Sequence, residues 1–316
     1  MPIYTYEPPV AELLSYGEGE GNTSKDWPNY VQELGLTADH IPALIQMIQD
    51  EQLWELFMGN FDKEDDFTDA GIDPEEALWA PIHAWRSLGQ LQAIEAIQPL
   101  VQMLQQHDLD WCWEELPQVF GLMGAGAIAP LEELLSSKID YNNKITLVEG
   151  LGAIAKIFPD LRDRAVEALI RQLSQFKNHH RSVNGSIIAQ LLDFKATEAV
   201  SVMEVAYGAK KVDEMFVGSW ARVQIDLGLK QESDFTPEEL AIRYTPMQEQ
   251  MMANIRASLD RPKPNRLSNR QGRQDFEKPP EFKDIVAQAG TKKPADKAGF
   301  GGGLSFAPKK SKKKKK

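Results

Sequence analysis

The single cysteine of the 316-residue chain, Cys112, lies between two tryptophans as Trp111-Cys112-Trp113. A thiol at the amino end of a helix can be held as a reactive thiolate. No histidine or asparagine adjoins it to complete a nucleophile, so a small buried apolar role between aromatic anchors is expected. A second candidate is the acidic run Asp62, Glu64, Asp65, Asp66 and Asp69, which continues to Asp73, Glu75 and Glu76 against one basic residue, Lys63. Counted from Asp62, oxygens fall at positions 1, 3 and 5 of a calcium-type loop, but Phe67 replaces the glycine of position 6 and Asp73 the glutamate of position 12. The expectation is a solvated acidic insertion that contacts a basic partner or the chain's own tail. The five histidines, His40, His83, His107, His179 and His180, show no zinc-type spacing. Gly124-Ala125-Gly126 lacks the strand, third glycine and lysine of a phosphate loop and is expected to be a turn between helices. Trp79, Trp85, Trp111 and Trp113 are expected to fill the core, with one or two left as exposed anchors for a partner. The expectation is therefore no catalytic residue, no metal and no cofactor.

Charge divides the chain. Residues 260–316 carry 17 Lys+Arg against 6 Asp+Glu, and the remaining 259 residues carry 18 against 41, a net of −23. An acidic body repels nucleic acid and anionic lipid. Its basic end, with Lys309, Lys310, Lys312, Lys313, Lys314, Lys315 and Lys316, attracts them. Prolines at 262 and 264 and the run Gly299 to Gly303 predict a disordered tail over 260–316. No apolar run is long enough for a transmembrane helix, and the first residues lack a basic-then-apolar signal. With one cysteine, a reducing, cytoplasmic setting is expected.

What must position these residues is a repeat. Leu88-Gly89, Phe120-Gly121 and Leu151-Gly152 recur at spacings of 32 and 31, and Ala96-Ile97-Gln98-Pro99-Leu100 matches Ala127-Ile128-Ala129-Pro130-Leu131 after 31 residues. Within each unit apolar residues follow the helical stripe: Ile94, Ile97, Leu100, Val101 and Leu104, then Ile128, Leu131, Leu134 and Leu135, then Ala165, Val166, Leu169, Ile170 and Leu173. Gly89 and Gly124 are expected to take the left-handed conformation that ends a helix. Asp73-Pro74-Glu75-Glu76 and Thr236-Pro237-Glu238-Glu239 read as helix starts, the latter opening a terminal pair that runs to about Leu259. Residues 30–47 read as an earlier unit and 183–229 as two weaker ones. The prediction is an all-α solenoid over 1–259, with an N-terminal cap at 1–73, clear repeats at 74–229 and capping helices at 230–259.

These Leu-Gly…Ala-Ile-x-Pro-Leu units resemble HEAT-like repeats of the phycobilisome-lyase type. The stretch Trp79-Ala80-Pro81-Ile82-His83-Ala84-Trp85-Arg86-Ser87-Leu88-Gly89, followed by Glu114-Glu115-Leu116-Pro117-Gln118-Val119-Phe120-Gly121, is similar to poorly characterised bacterial proteins that join such repeats to a C-terminal zinc-binding SEC-C module. No cysteine follows Cys112, so that module is missing and a polylysine end stands in its place. The resemblance implies an armadillo-type fold used for protein binding. The expected function is a monomeric, non-enzymatic scaffold that holds a basic or extended protein partner on an acidic surface. The alternatives are an adaptor tethered to RNA, the ribosome or a membrane through its tail, and a bilin lyase-like enzyme.

Overall fold

The computed structural model describes residues 6–259 apart from 20, 22, 60–63 and 108. Its regular structure is all α, with seventeen α-helices and no strand among the described residues. The tail, including its glycines and Lys309 to Lys316, lies outside them, as does Asp62. By compactness the chain divides into two units, Met1–Thr245 and Pro246–Lys316.

The amino-terminal helices begin where short polar side chains replace missing backbone partners. Asn29 caps α1 (Tyr30–Leu34), which closes on Gly35 at φ 66°. A 3₁₀ turn over Ala38–His40 then leads into α2 (Ile41–Ile48). Asp50 caps α3 (Glu51–Phe57) and Asp73 caps the short α5 (Pro74–Ala77). Between those two, α4 (Glu64–Asp69) makes a helix of much of the acidic run, where a loop was expected.

From residue 80 one unit recurs: a helix, a 3₁₀ turn and a second helix. The pairs are α6 (Ala80–Gln90) with α7 (Ile97–Gln106), and α8 (Asp110–Leu122) with α9 (Ile128–Ser136). Next come α10 (Tyr141–Ile157) with α11 (Arg162–Ser174), and α12 (Arg181–Asp193) with α13 (Val200–Gly208). The intervening turns are Ile94–Ala96, Gly124–Gly126, Pro159–Leu161 and Thr197–Ala199. Shorter helices follow: α14 (Glu214–Val217), α15 (Trp220–Asp226) and α16 (Pro237–Leu240), the last with the expected Thr236–Glu239 capping box. In the second unit α17 runs over Pro246–Leu259.

First helices pack on first helices, α6 on α8, α8 on α10 and α10 on α12, while α11 packs between α9 and α13. The apolar stripes meet in one core. Ile97, Leu100, Val101, Leu104, Ile128, Leu131, Leu135, Val166, Leu169 and Leu173 are all buried in it, whereas Ile94 sits exposed on its turn.

The motif glycines explain the repeat spacing differently from the expectation. Only Gly124 is left-handed, at φ 67°, and the corresponding ends of α6 and α12 use Gln92 and Lys195 instead. Gly89, Gly121 and Gly152 lie inside helices, where absence of a side chain lets neighbours approach. A Cβ on Gly89 would stand 3.2 Å from the Val119 backbone, and one on Gly121 would stand 2.8 Å from the Ala153 Cβ. A Cβ on Gly152 would meet the end of the Gln190 side chain. Each Leu-Gly or Phe-Gly step therefore marks where one first helix touches the next.

Candidate functional site

Helix α6 is apolar except for Ser87, which bonds its own helix, and for His83, Arg86 and Gln90. These last three fall three and four residues apart, on one face. Its neighbour α8 brings Glu115 and Gln118 alongside. Arg86 is fully buried and grips Glu115 in a two-pronged ion pair, Nε to Oε2 at 2.8 Å and Nη2 to Oε1 at 2.5 Å. The indole of Trp85 donates to the same Oε2 at 2.8 Å, and Trp27 lies over the guanidinium with Cζ 5.0 Å from its ring centre. Burial by itself lowers the Arg86 pKa, but the hydrogen bonds and charge of Glu115 more than reverse this, leaving it raised. Such a pair costs heavy desolvation and holds only because its lone pairs and protons are met. The Tyr30 hydroxyl also acts on the guanidinium, helping to raise the Arg86 pKa while Arg86 pulls that of Tyr30 down, and Trp27 Nε1 is buried without a hydrogen-bond partner among the described residues.

His83 continues the network. Its Nε2 lies 2.8 Å from the Gly17 carbonyl, which can only accept, so Nε2 carries the proton. Nδ1 then accepts from the Tyr30 hydroxyl at 2.7 Å. Burial pulls the His83 pKa down to about 4, and it pushes the Tyr30 phenol up to about 12. Both are neutral at pH 7 and serve as fixed hydrogen-bonding groups.

Over this floor pass irregular residues 17–19, 21 and 23–28, here called the strap. Its main-chain groups are held by helix side chains: the Gly17 carbonyl by His83, the Gly21 carbonyl by Arg86 at 3.5 Å, the Ser24 amide by Gln118 at 2.7 Å, and the Pro28 carbonyl by Gln90 at 2.7 Å. The glycines are required. Gly17 and Gly21 have φ of 66° and 94°, and a Cβ on Gly19 would stand 2.5 Å from Arg86 Nη1.

Arg86 and Gln118 each stand three residues before a motif glycine. The third such position, before Gly152, is Glu149 on α10. Burial raises the Glu149 pKa to about 7, with Lys156 pulling weakly the other way.

The residues singled out in the sequence are distributed elsewhere. Trp79 and Trp85 are buried, as expected of tryptophans that fill the core. Trp111 and Trp113 are half-buried against that core. Cys112 is fully buried, its Sγ 3.8 Å from Met103 Sδ. Of the acidic run, Glu64, Asp65, Asp66 and Asp69 lie on α4, with Asp69 exposed. His40 closes a capping box with Thr37, and His107 stacks on Trp54 at 4.3 Å. His180 caps α12 and stacks on Tyr141 at 4.1 Å. His179 is buried, and burial followed by the charge of Lys144 lowers its pKa to about 4. A separate pocket of about 490 Å³ opens beside Tyr207, Trp220, Phe235 and Arg243.

The strap and its floor are absent from the expectations drawn from sequence. Two signals mark them: the alternating glycines of Gly17-Glu18-Gly19-Glu20-Gly21, and the polar His83 and charged Arg86 inside the largely apolar 80–89 stretch. Comparison with protein-family models, curated proteins and solved structures finds no match. No single helix among the described residues is long and apolar enough to cross a membrane.

Proposed function

We propose that the chain is a non-enzymatic scaffold, an α-solenoid of HEAT-like helical hairpins whose first helices hold an irregular or extended segment of a partner protein. One observation carries this reading. On α6 and α8, four side chains already hold main-chain groups of residues 17–28, which is how a helical surface retains a polypeptide without regular pairing. The register of Arg86, Gln118 and Glu149 extends that face to α10. The partner's charge follows from the surface: Glu149 and a body of net charge −23 favour a basic segment. The groups at the site suit binding better than catalysis, since His83 and Tyr30 are neutral and Cys112 is sealed in the core.

The test compares proteins retained from a native extract, at two salt concentrations, by the full-length chain and by its Gln118→Ala and Glu149→Arg variants. A set of proteins held by the parent and lost from both variants supports the scaffold. Identical sets from all three overturn this face as its working surface.

A further inference from the structure

The pocket beside Tyr207 shares no residue with the α6–α8 face and lies wholly within the first unit. Its volume of about 490 Å³ suits a small molecule or one long side chain. Three rings line it. Tyr207 on α13 is buried and fixed by its hydroxyl, which donates to the Gly218 carbonyl at 3.0 Å. Trp220, the first residue of α15, is tilted on Tyr207 with ring centres 5.4 Å apart. Phe235 lines the pocket ahead of α16, and both it and Trp220 are half-buried. The charged residues of the lining are Glu204, Glu238, Glu239 and Arg243. The one cation among them is already matched. Arg243 binds buried Glu214, which is outside the lining, through Nε at 2.6 Å and through its amide at 2.7 Å. Glu239 accepts from the Thr236 amide at 2.8 Å. The side chains of Glu204 and Glu238 are exposed and make no hydrogen bond or ion pair among the described residues. Two exposed carboxylates alone are ordinary solvated surface. Here they border a cavity whose rings offer apolar area and negative faces to the same ligand.

We propose that this pocket binds an alkylammonium ligand, an aliphatic amine whose methylenes lie against Trp220 and Phe235 and whose ammonium groups meet Glu204 and Glu238. Other ligand classes fit the lining less well. An anion would face three carboxylates and one arginine that Glu214 already neutralises. A neutral apolar ligand would take water from the carboxylates and give them no donor in return. An amine answers both demands: the ring faces attract the cation and cover its methylenes, and the carboxylates accept its N–H groups. The same chemistry can come from a free polyamine or from the lysine side chains of a basic protein. The site goes beyond the scaffold reading and does not depend on it.

The experiment titrates the full-length chain by calorimetry with three probes: spermidine, a capped peptide carrying two lysines, and a neutral diol of matching length. Salt is held at about 0.15 M, where screening over about 8 Å suppresses diffuse attraction to the acidic body. At least one amine should bind saturably, one per chain, and the diol should not. Replacing both free carboxylates, Glu204→Gln with Glu238→Gln, should weaken that amine at least about tenfold, the scale of a charge-assisted hydrogen bond. The pair Glu133→Gln with Asp160→Asn removes the same charge from exposed positions elsewhere and should change affinity less than about twofold. Trp220→Leu and, separately, Phe235→Leu should each weaken it about two- to fivefold, the scale of an exposed cation–π contact. Circular dichroism and thermal melting establish that every variant keeps the parent's helix content, and the exposed carboxylate pair keeps the test decisive where a ring variant does not fold. An amine bound in this pattern supports the site, and the tighter of the two amines identifies the source. The site is overturned by no saturable binding of either amine, by a diol that binds as well, or by equal losses from the two charge pairs. Dependence on the carboxylates with no effect of either folded ring variant reduces the site to an acidic surface and overturns it as well.

Discussion

The α6–α8 and α10–α12 junctions are built on the same spacing and carry opposite electrostatics. At both, a glycine in the first helix admits its neighbour, and a polar side chain sits three residues earlier. At α6–α8 the charge is driven inside: Arg86 and Glu115 are 0% and 2% exposed and roofed by the strap. At α10–α12 the cross-helix pair, Lys156 with Asp193 at 2.7 Å, is 51% and 53% exposed. Repeat geometry fixes where helices touch, and the residue placed at the shared register decides whether the face is closed or open.

The sharpest way to break this comparison is to delete one partner of each pair. Glu115→Ala should cost about 3–5 kcal/mol, because it strands a buried guanidinium. Urea titration measures this, and a loss below that of an ordinary surface change would show the pair to be hydrated. The glycine contacts come next. Gly121→Ala should destabilise by roughly 1–3 kcal/mol through overpacking on Ala153, offset by up to ~1 kcal/mol of helix propensity. Gly152→Ala meets only the movable end of Gln190 and should be neutral or slightly stabilising. Equal melting shifts for the two would refute the distinction between a fixed Ala153 neighbour and the movable end of Gln190.

The two junctions should also respond oppositely to pH. An unfolded imidazole takes up a proton near 6.5, whereas folded His83 does so only near 4. Its contribution is complete above pH 6.5 and is lost as pH falls from 6.5 to 4. Glu149 runs the other way. Its folded pKa of about 7 lies above the ordinary carboxylate value of 4.5, so stability is full below 4.5 and declines as pH rises to 7. Glu149→Gln should therefore stabilise the protein at pH 8, by on the order of 2 kcal/mol, and leave it unchanged at pH 4. Melting curves at both values decide this, and a gain that is the same at each pH would assign the effect to packing. Smallest of all, Lys156→Ala should move stability by less than about 1 kcal/mol, as expected for a solvated pair. A larger loss would mean that the open junction is closed after all.

Much of the helical framework is legible in the residues. The stripes through Leu100, Leu131 and Leu169, the cap at Asp73, the capping box at Thr236 and the turn at Gly124 all follow from local rules that need no knowledge of neighbours. The candidate site is much less so. Arg86 and Glu115 are 29 positions apart, and nothing local pairs them. The recurrence of glycine was visible, but its role at Gly89 was misread as a helix end because helix stops and close contacts use the same residue. Trp79 and Trp85 illustrate the same limit, since their positions on a stripe do not reveal which side is covered.

The sequence by itself therefore determined the all-α class, the period near thirty-one residues and the division of charge, because each depends on residue type and spacing along one chain. Only tertiary structure decided that main-chain groups of Gly17, Gly21, Ser24 and Pro28 are held by side chains of α6 and α8, that Arg86 is buried rather than exposed, and that burial raises the pKa of Glu149. Those outcomes depend on which distant surfaces meet, and burial converts an ordinary arginine or glutamate into a strongly placed charge only after they have met.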